Sequence, residues 1–230
     1  MAWGANGRYL TGKFDGERFT PDGGVKRHYF GNAYAGQSYS GAPGGRRVHI
    51  GWMRDGGDAF KGAPFNLQMT LPMDFTLRTE DGAPRLHAEP CKEAASLRQD
   101  TREWKNLTFA SGGTDPLTDI RGDAFEIEAE ILAETTAKEI GFRLFDEYPL
   151  VWKPADQTFS GIDGKVKPLD GRLRLRIFVD RVSLEVFANG TYQGRYIRQH
   201  PDRQAARIVA NGGAIKIPVL RVHRLRPVWK

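Results

Sequence analysis

One cysteine, Cys91, stands in the whole chain, so no intrachain disulfide and no cysteine-based metal site can form. It reads as a small buried hydrophobe. Nowhere do apolar residues run together for the ~18 that a membrane helix needs, and the start, MAWGANGRYL, has neither the basic opening nor the apolar stretch of a signal peptide. No membrane partner is expected, and the chain as given reads as cytoplasmic. The five histidines, His28, His49, His87, His200 and His223, show no paired ligand spacing and read as surface or satisfied side chains, so no metal is expected. A Ser-His-Asp arrangement, a phosphate-cradling glycine loop and a nucleotide motif are also missing, and no cofactor is expected. Runs of five like charges are absent too. The net charge of +6 comes from 34 basic and 28 acidic residues, interleaved as in Arg172, Arg174, Arg176, Asp180 and Arg181. That pattern reads as a solvated strand face, and no nucleic-acid partner is expected.

What the chain has in quantity is punctuation. Its 27 glycines and 13 prolines in 230 residues favour many short strands over long helices, and 40% hydrophobic residues suffice for one large all-β domain or two modest ones. The stretch from Ala33 to Leu71 is the most organised. Gln37 to Ser40 and Arg46 to Trp52 flank Gly41-Ala42-Pro43-Gly44-Gly45, a hairpin whose glycines supply the reversal. Asn66 to Leu71 adds the next strand of a meander. Upstream, Asp15-Gly16 signals a two-residue hairpin between Tyr9–Gly12 and Phe19–Thr20. Downstream, Pro72 interrupts the strand, Asp74 to Arg78 and Arg85 to His87 form two more, and Asp81-Gly82 turns between them. Pro90 to Arg98 opens with proline and continues with good helix formers, predicting a helix. Beyond Asn106 the chain alternates. Phe125, Ile127, Ala129 and Ile131 share one face with glutamates on the other, as a half-solvated sheet requires. Seven further runs, from Ile140 to Leu225, are separated by turns at Asp163-Gly164, Asp170-Gly171 and Asn189-Gly190, which favours a β-sandwich.

AYAGQSY, GRRVHIGWM and MTLP, in that order and spacing, resemble the last blade of the five-bladed propeller of glycoside hydrolase family 32, the family of invertases, levanases and inulinases. FDGERFTP is similar to the hairpin by which that blade is entered. LRLRIFVDRVSLEVFANG, Leu173 to Gly190, resembles the signature Asp-Arg-x-Ser-x-Glu-Val-Phe of the family's C-terminal β-sandwich. The chain departs from the pattern at His28-Tyr29-Phe30, where Asp-Tyr-Gly is common, and at Met73-Asp74, where Arg-Glu is usual. The fold expectation is therefore all-β: a propeller-blade-like antiparallel meander over residues 1–86, a linker with a short helix over 87–108, and a two-sheet sandwich over 109–230.

A retaining glycosidase needs two carboxyl groups about 5 Å apart, one as nucleophile and one as acid/base. In the family these come from an Asn-Asp-Pro-Asn-Gly type motif and a Glu-Cys, assisted by Arg-Asp-Pro, and none of the three occurs in this sequence. Arg54-Asp55-Gly56 lies in a glycine-rich turn, and in Glu89-Pro90-Cys91 a proline intervenes, so no catalytic residue is assigned. Tyr34 and Trp52 match aromatics that line the family's sugar pocket. Trp52 is either a stacking residue or a blade-core residue, and Tyr34 reads first as core. Asp180, Arg181, Ser183 and Glu185 read as structural.

The resemblance implies a truncated relative of the β-fructosidases that act on sucrose or fructans, inactive alone. A non-catalytic carbohydrate-binding or oligomerisation module is the alternative. A weak glycosidase with carboxylates recruited from Asp15, Asp55, Asp58 or Asp74 ranks last. A lone blade leaves strand edges and an apolar face uncovered. Self-association through the N-terminal part, a partner supplying the missing blades, or packing of the blade on the chain's own sandwich is the expected remedy.

Overall fold

The computed structural model describes residues 1–56, 65–198 and 202–228. Asp58 and His200 lie outside the described residues.

The expected meander is present as an antiparallel sheet. Ala83–Pro90, Met73–Glu80, Val48–Met53 and Ala33–Ser38 lie in that order, and the short Gln68–Met69 strand also pairs Val48–Met53. Pro72, with no N–H to offer, separates Gln68–Met69 from Met73–Glu80, so two short strands follow one another along the same neighbour. Glu80 and Ala83 face each other across Asp81-Gly82, both at positive φ (49° and 76°), the geometry a two-residue turn demands. Further upstream the Gly12–Phe14 and Phe19–Pro21 strands form the hairpin read from Asp15-Gly16, but its loop is longer than two residues. Phe14 pairs with Phe19, and the Asp15 carboxylate accepts from the N–H groups of Glu17 (2.9 Å) and Arg18 (2.7 Å). Asp15 stabilises the turn from the loop's first position rather than occupying a two-residue turn.

The sandwich has a seven-stranded sheet in the order Arg98–Phe109, Ile215–Leu225, Ala124–Leu132, Arg172–Asp180, Ser183–Ala188, Thr191–Tyr196 and Tyr29–Gly31. Facing it is a five-stranded sheet of Gly164–Lys165, Thr158–Phe159, Tyr148–Lys153, Glu139–Leu144 and Ala206–Asn211. Between them lies the main core, with Ile127, Ile131, Phe142, Leu150, Trp152, Leu175, Val186 and Ile217 all buried. Each such side chain contributes roughly 1.5–3 kcal/mol through area removed from water. The Trp152 indole N–H is satisfied by the Val166 carbonyl at 2.8 Å.

Two segments differ from the sequence reading. Residues 98–108, placed in the linker, belong with Phe109 to the edge strand Arg98–Phe109 of the seven-stranded sheet. The helix expected from Pro90 to Arg98 shrinks to a six-residue 3-10 turn, Lys92–Leu97, because the preceding strand runs on through Pro90 and Cys91 offers no side-chain cap. The outward face of Ala124–Leu132 is also drier than alternation suggests. Glu126 is fully buried, held by Arg98 (2.8 Å to each oxygen) and Arg176 (2.7 Å).

The blade is packed on the chain's own sandwich. Tyr29–Gly31 adds to the sandwich edge in parallel, opposite Tyr192 to Gly194. Ala88 donates to the Gly190 carbonyl at 2.8 Å, and the Tyr196 hydroxyl donates to the Met53 carbonyl at 2.6 Å. A second apolar cluster joins Met73, Phe75, Leu86 and Ala88 of the blade to Phe178, Phe187 and Tyr192 of the sandwich. At Gly190 the approach is tight: a Cβ there would stand 2.1 Å from His87 Nδ1.

Candidate functional site

Tyr34, Trp52 and Met69 form a row across three strands, since Trp52 is in register with Tyr34 on one side and with Met69 on the other. The row faces out, with 38%, 37% and 49% of the three side chains exposed. Neither aromatic is a core residue. Backbone irregularity sets this orientation. Between Tyr34 and Gln37 the strand carries one residue more than its partner, a bulge with Ala35 at φ 48°. Gly36 lies at the same bulge, where a Cβ would fall 2.2 Å from His49 Nε2. Arg54 then crosses back over the row, its guanidinium carbon 4.6 Å from the centre of the Tyr34 ring. The Arg54 backbone is pinned to Asn32 by reciprocal bonds of 3.0 Å, and its side chain reaches Asp55 at 3.2 Å. The result is an open shelf of two aromatic faces and a thioether, with a cation and a carboxylate at one end. It can take an apolar sugar face by stacking and hydroxyl groups by hydrogen bonding.

Among the described residues, Asp15, Asp55 and Asp74 are not brought together as a retaining hydrolase's carboxyl pair. Asp74 is held bidentately by Arg46 (2.9 and 2.7 Å), which also grips Glu93 (2.6 and 2.9 Å). Asp15 is spent on its own turn. Asp74 pairs opposite Val48, whereas Asp55 follows the far end of that strand. At ~3.3 Å per residue the separation is roughly 20 Å, against the about 5 Å that the reaction requires. Glu89 sits opposite Asp74 in the blade, where burial raises its carboxyl above the usual range. Among the described residues no group of three or more potential ligands surrounds a metal position.

The sandwich signature proves to be a joint. Asp180 and Ser183 close the turn between two strands, with Ser183 Oγ donating to the Asp180 carbonyl at 3.2 Å and Arg181 at φ 45°. Glu185 lies in a strand whose residues are all buried. Its carboxylate accepts the Leu71 N–H (3.0 and 2.9 Å) and the Tyr192 hydroxyl (2.6 Å), so one side chain ties the blade to the sandwich. Burial pushes its pKa up to about 7. Cys91 is buried and free, its thiol pushed up to about 11 by burial.

The histidines depart most from expectation. His28, His49, His87 and His223 are buried, and both ring nitrogens of His28 and of His49 lack a hydrogen-bond partner. His49 stacks on Phe75 at 4.3 Å, and His28 meets Phe75 edge-on at 5.1 Å. Spacing rules look for metal pairs and so pass over rings used as aromatic packing. The usable signal lay in the flanking residues: His28 precedes Tyr29-Phe30, and His49 sits between Val48 and Ile50.

The family description "Glycosyl hydrolases family 32 C terminal" matches residues 93–224, and "Glycosyl hydrolases family 32 N-terminal domain" matches residues 3–90. A levanase of Bacillus subtilis (strain 168) is 32% identical over 263 aligned positions, which take in 100% of this chain and 39% of the levanase. An extracellular exo-inulinase of Aspergillus ficuum is 28% identical, covering 98% of this chain and 49% of the relative. The crystal structure of an exo-inulinase from Aspergillus awamori superposes with a TM-score of 0.78 at 24% identity, over 96% of this chain and 50% of that one. The chain thus spans half or less of the length of these relatives. No helix among the described residues is long and apolar enough to cross a membrane. On the match over most of its sandwich, the chain belongs to glycosyl hydrolase family 32.

Proposed function

We propose that this chain is the carbohydrate-holding part of a β-fructosidase-type fold, acting on sucrose or fructans only when carboxylates from elsewhere complete the site. The observation that carries this reading is the exposed row Tyr34, Trp52 and Met69, aligned by register and bulge and capped by Arg54. Exposing two aromatic faces side by side on neighbouring strands costs stability, and a sugar's C–H face is a partner that recovers it. The levanase and inulinase relatives supply the substrate class: fructosyl sugars. Alone, the chain binds sugar and does not cleave it.

Titration of the purified chain with fructose, sucrose and short fructo-oligosaccharides, read by tryptophan fluorescence, tests this. Saturable binding is expected, weakened roughly tenfold in Trp52→Ala, the loss of about 1.4 kcal/mol that one aromatic face is worth. Binding that Trp52→Ala leaves unchanged removes the shelf from the reading. The coverage of 39% of the levanase supports a second component, in which a further stretch of polypeptide supplies the remaining blades and both carboxylates.

A further inference from the structure

The outer face of the five-stranded sandwich sheet holds a recess of about 470 Å³, within the range of small-molecule sites. Along Glu139–Leu144 the residues Ile140, Gly141, Phe142 and Leu144 are buried, while Glu139 and Arg143 are half-exposed. Gly141 between them stands at φ 143°, and a Cβ there would meet the Leu150 carbonyl of the neighbouring strand at 2.1 Å. Val151 lies directly opposite Gly141 and lines the recess together with Pro149.

Around this apolar floor stand three cations, Arg143, Lys153 and Lys165. The acids nearby are already engaged. Glu139 takes a hydrogen bond from Asn211 (2.8 Å) and an ion pair from Lys153 (3.7 Å). Asp156 accepts from the Thr158 N–H (2.9 Å) and hydroxyl (2.6 Å). Among the described residues neither Arg143 nor Lys165 has a carboxylate partner within ion-pair distance. Arg143 also sits directly opposite Arg207, a like-charge juxtaposition that costs stability. Arg207 has its own acid, Asp146, at 2.7 Å.

From this juxtaposition we propose that the recess is a second ligand site, separate from the Trp52 shelf, for an anionic small molecule of sugar size. The ligand's phosphate or carboxylate lies between Arg143, whose planar fork suits bidentate recognition, and Lys165, with its C–H surface on Pro149 and Val151. Phosphate-bearing and carboxylate-bearing sugars share this chemistry.

Calorimetric titration of the full chain with a hexose 6-phosphate, a hexuronate and neutral fructose separates them. Saturable binding of at least one charged sugar is expected, reduced tenfold or more in Arg143→Gln/Lys165→Gln, and the stronger of the two arms names the anion. Any heat from neutral fructose should be the same in that double variant as in the parent chain. No saturable binding of either charged sugar, or binding that the double variant leaves intact, overturns the proposal. Unchanged circular dichroism and thermal midpoint certify the variant's fold. Should it misfold, Lys165→Gln alone decides the matter, with a loss of threefold or more expected, because Lys165 is exposed and lines the recess.

Discussion

Acid is expected to destabilise this chain steeply below about pH 5, through two buried histidines whose ring nitrogens have no hydrogen-bond partner among the described residues. Burial lowers the pKa of His28 to about 3, aided by the neighbouring His49, and lowers that of His49 to about 4. A group with a depressed folded pKa contributes stability that is present above its unfolded value of 6.5 and lost as pH falls through the folded value. At ~1.36 kcal/mol per unit the pair costs several kcal/mol by pH 4, a large share of a typical domain's 5–15 kcal/mol. Glu185 works in the opposite sense. Its folded pKa is raised from 4.5 to about 7, so its contribution is complete below pH 4.5 and is lost as pH rises through 7, by roughly 3 kcal/mol. Between pH 7 and 6 the two trends nearly cancel. Below pH 5 Glu185 has little left to give and the histidines win. Urea midpoints measured from pH 8 to pH 4 should be level at first and then fall, and His49→Phe should flatten the acid limb. A midpoint that is constant down to pH 4 contradicts this.

The second large effect belongs to Glu185 itself. In Glu185→Ala the Leu71 N–H and the Tyr192 hydroxyl lose their shared acceptor in a fully buried place. Each orphaned donor costs about 1–3 kcal/mol, so a loss of roughly 3 kcal/mol is expected, together with a joint that opens between blade and sandwich. Glu185→Gln keeps one acceptor oxygen and should lose only about 1 kcal/mol. It should also abolish the weakening above pH 7, because nothing is left there to ionise. Denaturant unfolding at pH 6 and pH 8, with exchange of the Leu71 amide proton, reads both effects. Equal stabilities for the Ala and Gln variants would mean that the carboxylate does not hold the joint.

Much of the architecture was legible because it rests on local chemistry. The Asp81-Gly82 and Asn189-Gly190 turns, the break at Pro72 and the alternation of Phe125, Ile127, Ala129 and Ile131 each follow from backbone restriction or period. Elements set by distant partners were not legible. Arg98–Phe109 shows too little apolar alternation to announce a strand, and it is one because Ile215–Leu225 presents an edge to it. Glu126 is buried because Arg98 and Arg176 arrive from two other strands. At the shelf, Tyr34 and Trp52 could be named from the sequence, but their exposure could not, since it follows from a bulge. Glu185 could be seen as a lone charge in the apolar run LEVFA, while its acceptor role depends on Leu71, which lies far away along the chain.

The most direct measurement is product analysis after incubating the purified chain, at high concentration, with sucrose, inulin and levan. No free fructose is expected, because among the described candidates Asp74 is committed to Arg46, Asp15 to a turn, and Asp55 to an exposed loop beside Arg54. Fructose that appears, and disappears when Asp55 or Asp74 is replaced by asparagine, would show a working carboxylate pair in this chain and contradict the reading of a sugar-holding, non-cleaving part.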